Sequence, residues 1–456
     1  MLLYYESIEK KACMVVCRLC RKKVHFNKTA SGMSIYIMKG MLTMPFNFQV
    51  TPSGLPKFEP SVAVNLLNPN IVVAVAVDFS SGPPLIGLYR SLDAGANWTD
   101  SLLPIPPGYT GAEAGMVAYL FPNIFIVSAH VFPGNENGAI VIYRSTDDGA
   151  TFDPPVVINP GFGDYINNDW TNITTDNAGA SPYLGHVYVT YNRQYNVDFN
   201  AQSAAFYQRS TDGGLTWDRP LLLSNIQSST ERPEPAVDKY GSVYVSWIRT
   251  GPQTPAFFIR RSFDGGATFS GDILVSNITL VPNPLPVPGY DFRILNFPSL
   301  AADCSGVPST TNTLYAVWQD FGQGYSNILL SKSSDFGGSW SAPIIVTDSP
   351  PGSQNFFPAI SVSPKTGLVV VVYYTNRLDG FNLDVFAAES VDGGNTFTNS
   401  RLTTTSFNPN VGGGESELIG DYIDVAISPP NSYISVWTDT RTGSLTIFAG
   451  VPGGGA

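Results

Sequence analysis

Ser91-Leu-Asp93-Ala-Gly95-Ala-Asn97-Trp98 is an octet that returns five more times along the chain, beginning at Ser145, Ser210, Ser262, Ser333 and Ser390. Every copy reads Ser-x-Asp-x-Gly-x-(Thr/Ser/Asn)-(Trp/Phe). An aspartate (Asp93, Asp147, Asp212, Asp264, Asp335, Asp392) therefore stands two residues before a Gly and five before an aromatic. One Asp-x-Gly pair is an ordinary turn signal; six with the aromatic in register are a structural repeat. The octet has the chemistry of a hairpin. The carboxylate can accept hydrogen bonds from turn N–H groups, Gly can take the φ > 0 position, and the aromatic can bury itself between neighbouring sheets. The six aspartates are expected to hold turns, because a turn of this kind uses up their acceptor capacity.

Outward from each octet the apolar pattern is that of strands. A short run and a longer one precede it, as in Pro60–Val64 then Ile71–Val77, Ala236-Val237 then Val243–Trp247, and Pro358–Val362 then Leu368–Tyr373. Two more strands flank the octet itself. Four strands per unit, the inner ones apolar on both faces, make the blade of a β-propeller. The spacings of 54, 65, 52, 71 and 57 residues between successive aspartates suit one blade each. After the sixth octet comes a unit with none, Asp421–Ile427, Tyr433–Trp437 and Leu445–Phe448, which has three strands. Phe46–Val50 is expected to supply the fourth and close the ring, hiding the edges of an open sheet. The fold class expected is all-β, a propeller of seven four-stranded blades with six as the alternative.

Composition agrees and excludes some functions. Charged residues are 13% of the 456 residues, against about 25% in an average soluble chain, while Gly (43) and Pro (36) are frequent. The formal charge of −11 speaks against a nucleic-acid partner, which needs a dense basic surface. No run of eighteen apolar residues occurs, so no membrane span is expected. Residues 1–44 differ from the rest: they hold six of the seven Met, three of the four Cys and eight of the 25 Lys/Arg. They are expected to be an extension outside the domain, from a mis-set translation start at Met41 or Met44 or as a leader, and they make a poor signal peptide. The body, 45–456, is one propeller with 17 basic and 34 acidic residues. Cys13, Cys17 and Cys20 have an iron–sulfur-like spacing with His25 nearby, but they fall in the extension, and no metal or cofactor is expected.

Within a blade the octet lies between the third and fourth strands. The connections from second to third strand, and from blade to blade, therefore converge on the opposite face, where a propeller's ligand is expected. Second-strand ends carry Asp78, His130, Arg193, Arg249, Asp320, Arg377, Asp439 and Arg441. The approaches to the inner strands carry Glu59, Glu113, Asp169, Glu231, Glu234, Arg293, Asp421 and Tyr422. Arg193, Arg249, Arg377 and Arg441 recur at corresponding blade positions, and a guanidinium fork suits a carboxylate or sulfate. The structural counterpart is that each pairs with a neighbouring loop carboxylate, as Arg441 could with Asp439.

The six octets resemble the Asp box, or bacterial neuraminidase repeat, and through it the chain is similar to the sialidase-like superfamily of carbohydrate-active and carbohydrate-binding proteins. The resemblance implies a glycan ligand and an extracellular or cell-surface location. Sialidases present an Arg in a Phe/Tyr-Arg-Ile-Pro motif, an Asp acid/base, a Glu, two further Arg, and a Tyr nucleophile that the Glu activates. Here Phe58, in Lys57-Phe58-Glu59-Pro60, stands where the first Arg would be. Asp78 matches the acid/base, and Glu234 with Arg249 match the Glu and second Arg. Arg293 or Arg377 matches the third Arg, and Tyr422, in Gly420-Asp-Tyr-Ile-Asp424, the nucleophile. The function this implies is an exo-acting glycoside hydrolase for an acidic glycan such as a sialoside. The alternatives are a hydrolase working with two carboxyls drawn from Asp78, Asp320, Asp421, Asp439 and Glu234, a non-catalytic propeller binding glycan or protein, and a structural surface protein.

Overall fold

The inner and second strands are runs such as Val72–Asp78 and Val369–Thr375, whose every residue is buried. A run without a polar face is stable only with packing on both sides. Stacking the sheets face to face around an axis supplies it. In the computed structural model, which describes residues 45–456 apart from 134–137, 198–199, 227–228, 308–311, 412–417, 430 and 454–456, together with four short strands before residue 45, these strands form seven four-stranded antiparallel sheets. The blades span 57–102, 111–159, 166–222, 229–277, 299–345 and 355–401, and the seventh 424–451 plus Phe46–Gln49. The fold is a seven-bladed β-propeller. In the first six blades the strands lie in chain order from the axis outward, and in the seventh Phe46–Gln49 takes the outermost place. The outermost are short and exposed, down to the two residues of Ile344–Ile345. Among the described residues there is one 3-10 turn, Gly163–Tyr165, and no helix is long and apolar enough to cross a membrane.

The ring closes as the seventh unit's missing strand required. Phe46–Gln49 pairs antiparallel with Thr446–Val451, Phe46 opposite Val451 and Gln49 opposite Phe448. The inner strands begin earlier than their apolar runs, at Lys57 rather than Pro60 in blade 1, because a bulge at Pro60 lets pairing resume on its far side. Met1–Met44 is a unit of its own. Within it Met14–Val16 pairs with Lys23–His25 and Asn27–Thr29 with Gly32–Ser34. Cys13, Cys17 and Cys20 lie outside the described residues.

The octets hold the blades to one another. In the first, Ser91 Oγ donates to Asp93 Oδ1 (2.8 Å), and the Gly95 and Asn97 N–H groups donate to Ser91 Oγ (2.9 Å) and Asp93 Oδ1 (2.8 Å). The invariant octet glycine lies against the preceding blade: a Cβ on Gly149 would stand 2.5 Å from Val73, and one on Gly337 2.7 Å from Ile259. The residue before each octet forms a latch. Arg90, Arg144, Arg209, Arg261 and Lys332 each donate to an octet carbonyl of the following blade, those of Asp148, Gly213, Gly265, Phe336 and Gly393, at 2.8 to 2.9 Å. Blade 7 has no octet to receive a sixth latch, and there the residue is Glu389, which accepts from Tyr433 Oη at 2.7 Å.

Candidate functional site

The inner strands of blades 1, 2, 3, 4 and 6 each carry a bulge, at 58–61, 113–116, 169–172, 231–234 and 356–359. One residue in each takes the left-handed region: Glu59, Ala114, Trp170, Arg232 and Phe357, with φ between 24° and 57°. Bulges re-aim side chains, and such backbone persists only where the surrounding structure holds it. Three of these segments share a Pro two residues after their first position, in Phe58-Glu-Pro-Ser61, Glu231-Arg-Pro-Glu234 and Phe356-Phe-Pro-Ala359, and Asn296-Phe-Pro-Ser299 repeats the pattern in blade 5 without a bulge. Around the axis this creates layers. A rim of acids, Glu113, Asp169, Glu231 and Asp421, stands on the face away from the octets. Below it lies a plug in which the Arg232 guanidinium sits 4.1 Å from the Tyr422 ring and 5.5 Å from that of Phe297, with Trp170 packed edge-on to Phe297.

Each rim acid has a different neighbour. Asp169 Oδ1 is 3.1 Å from His130 Nδ1 and accepts the Trp170 N–H at 2.6 Å. Asp421 is fully buried and gripped by both arms of Arg293, one of them Nε to Oδ1 at 3.0 Å. Glu231 accepts the Asn296 N–H at 2.7 Å. Arg293 arrives on a proline-rich connection between blades 4 and 5, anchored by Leu285, Tyr290 and Phe292 in one core with Phe356 and Phe407. The environments drive the carboxyls apart. Burial pushes Glu231 up to about 7. Burial, with Asp421 and Glu113 close by, holds Glu59 well above the usual carboxylate range. Burial would raise Asp169 too, but the facing His130 holds it below its ordinary value. His130 is raised in turn, Asp169 outweighing the burial that opposes its charge. Beside the rim a cavity of ≈ 390 Å³ is lined by Phe79, Pro84, Glu113, His130, Phe132 and Asn167.

The residues singled out from sequence do not all reach this rim. Asp78 is buried within blade 1, accepting from Tyr89 Oη (2.6 Å) and the Ser80 N–H (2.7 Å), with Lys57 Nζ at 3.8 Å. Arg193, Arg249, Arg377 and Arg441 stack on Phe206, Phe258, Phe386 and Phe448 of their own blades at 4.2 to 4.8 Å. Arg441 also pairs with Asp439 (2.6 Å) and Arg377 with Asp348 (2.5 Å). These four belong to their blades, and of the five candidate arginines Arg293 is the one that meets the rim. Asp320 accepts loop N–H groups of Thr279 and Gly322. Phe58 packs with Val77 and Leu445. Tyr422 is 4% exposed, and its hydroxyl makes no hydrogen bond among the described residues. Burial, then Glu59, pushes its phenol well above the normal range. Glu234 lies below the plug, bound by Ser299 Oγ at 3.1 Å. Arg232 was not singled out from sequence; aligning the four proline segments would have marked it as the basic residue at the axis.

No protein-family model matches the chain, and no curated protein is significantly similar to it. Solved structures do match. A protein of unknown function from Dyadobacter fermentans DSM 18053 is 14% identical with a TM-score of 0.50, over 76% of this chain and 96% of that one. The GH93 α-L-arabinofuranosidase of Fusarium graminearum, solved with arabinobiose, is 13% identical with a TM-score of 0.50, over 79% and 97%. They share its fold. The Hadza microbial sialidase Hz136 is 12% identical with a TM-score of 0.49, over 84% and 74%. At these identities the likeness extends to the fold and not to individual site residues.

Proposed function

We propose that the protein is a glycoside hydrolase working with two carboxyls of the axial rim, Glu231 as proton donor and Asp169 as its ionised partner. The observation that carries this is the contrast in surroundings: Glu231 meets a single backbone N–H and is raised to about 7 by burial, whereas Asp169 lies 3.1 Å from His130, which holds it down. Glycoside cleavage needs that combination: an acid to protonate the leaving oxygen, and a carboxylate to attack the anomeric carbon or activate water. Phe79 and Phe132 offer apolar faces for a sugar ring in the cavity beside the rim. The fold shared with the Fusarium arabinofuranosidase supports the class. A glycan substrate goes with a place outside the cell or on its surface.

A sialidase-like enzyme is the second proposal. It would use Tyr422 as nucleophile with Glu234, Asp78 as acid/base, and arginines for the sugar carboxylate. In its favour Tyr422 lies at the axis beneath Arg232, with Arg293 above in the rim. The acidic rim favours a neutral sugar over an anionic one. The test is release of a fluorescent aglycone from α-L-arabinofuranoside and sialoside probes by the wild type, Glu231→Gln and Tyr422→Phe. The expected result is turnover of the neutral glycoside, lost in Glu231→Gln and kept in Tyr422→Phe. Sialoside turnover lost in Tyr422→Phe would favour the second enzyme, and binding without turnover of either probe a glycan-binding propeller.

A further inference from the structure

Below the plug, the axial channel opens on the octet face as a funnel of ≈ 620 Å³ walled by the inner strands of all seven blades. Ala63, Ala118, Ala236, Ala301 and Ala426 recur around its wall, between larger apolar residues such as Met116 and Ile173. The polar groups of its lining next to the plug are few. Glu234 and Asp424 are both half-buried and stand in blades 4 and 7. Asp424 accepts from Ser61 Oγ and the Val62 N–H at 2.9 Å and from the Val425 N–H at 2.7 Å, while Glu234 takes Ser299 Oγ. Each carboxylate offers about four acceptor sites, so both keep capacity to spare. Asn172 is 5% exposed and lines the same space; its Oδ1 accepts the Ile173 N–H, and its Nδ2 makes no hydrogen bond among the described residues. This donor faces the open space of the funnel, where it can give its hydrogen bond to a ligand or to water.

The charges around this end are Arg232 one layer above, Lys239 at the outer rim over the Tyr240 ring, and Asp176 and Asp238, whose carboxylates are tied to Ser181 and Tyr244. Among the described residues Arg232 makes no ion pair with either carboxylate and acts on both from a distance, so one positive charge faces two negative ones and the site has room for a single further cation. We propose that the funnel is a second ligand site, for a protonated amino alcohol whose ammonium group sits between Glu234 and Asp424 and whose hydroxyl oxygen accepts from Asn172 Nδ2. A slim body suits the alanine wall, and charge-assisted hydrogen bonds supply the strongest contacts. Burial first, opposed by Arg232 and the Ser299 contact, sets Glu234 at about 7, and burial likewise raises Asp424. Both must be ionised to hold the cation, so binding strengthens as the pH rises through about 7 and weakens as it falls below that value.

The test is titration of the full chain by calorimetry at pH 8 with ethanolamine, ethylammonium and ethylene glycol. Ethanolamine should bind, ethylammonium more weakly, and the neutral glycol not at all. Glu234→Gln, Asp424→Asn or a drop to pH 5.5 should weaken ethanolamine roughly tenfold or more, and Asn172→Ala should erase its advantage over ethylammonium. Ala426→Leu fills the wall with both carboxyls in place and should abolish binding, which keeps the test decisive if a carboxyl variant fails to fold. Absence of ethanolamine binding, equal binding of the glycol, or indifference to the carboxyl variants would each overturn the site. Glu113→Gln, on the other face, should leave ethanolamine binding as in the wild type.

Discussion

Glu231 and Asp169 occupy equivalent positions on neighbouring inner strands and differ in what each carboxyl faces. Glu231 meets one backbone N–H and is desolvated, whereas Asp169 meets His130. If they divide the work as proposed, Glu231→Gln should lower kcat by about 10²- to 10⁴-fold with the fold intact. The pH profile follows from the signs. The acid is protonated below about 7, so kcat/KM should fall as pH rises through that value. Its acid limb should lie below the ordinary Asp value, because His130 holds Asp169 down. His130→Ala should move that limb upward, and an unmoved limb would remove Asp169 from the role. The candidate acids were legible from chain position alone, since Glu113, Asp169, Glu231 and Asp421 all stand just ahead of the apolar runs of inner strands. Their protonation was not, because it depends on His130 and Arg293, which arrive from elsewhere in the chain.

In the blade, the octet does more than turn the chain. Its glycine admits the neighbouring blade, and its carbonyls receive the latch from the blade before. Gly149→Ala puts a Cβ 2.5 Å from Val73 at a φ of 75°, and should cost about 1–3 kcal/mol in urea unfolding. Arg144→Met removes one charged latch onto Gly213 and should cost about 1.5–3 kcal/mol. The octet aspartates carry a pH signature. Burial is the largest single effect and raises Asp147, Asp212 and Asp264, but the hydrogen bonds from Thr151, Thr216 and Thr268 and from the octet serines together outweigh it and hold them at about 2. A lowered folded-state value stabilises the fold above the ordinary Asp range, and that stability is lost as pH falls toward 2. Acid titration followed by tryptophan fluorescence should therefore show loosening between about pH 4 and 2. The four arginines stacked on blade phenylalanines show how a repeat can mislead. Recurrence at one blade position looks like convergence on a ligand, but in a propeller it equally means repetition of a contact inside each blade.

At the level of the whole ring, one strand joins the two ends of the propeller. Deleting residues 1–50 removes Phe46–Gln49 from blade 7 and exposes the edge of Thr446–Val451. The thermal midpoint should drop by more than about 5 °C, and the protein should associate through the open edge, which light scattering would detect. A truncated chain that melts like the full one and stays monomeric would show that closure rests on blade packing alone. The blade repeat, octet turns and this closing strand could all be read in the sequence, because each is a local pattern: alternation, turn chemistry, and a unit one strand short. The axial site could not. Its rim, plug and funnel are made of side chains up to several hundred residues apart, Glu59 beside Asp421 and Ser61 on Asp424, set by where bulges turn them. The sequence by itself determined that there would be a ring of four-stranded sheets, seven expected with six as the alternative, and the structure shows seven. Only the tertiary structure decided that Glu234 and Tyr422 fall below the rim, that four arginines belong to their blades, and that the axis is divided in two by Arg232. The physical reason is that charge, burial and hydrogen bonding at the axis are properties of the closed ring and of no single blade.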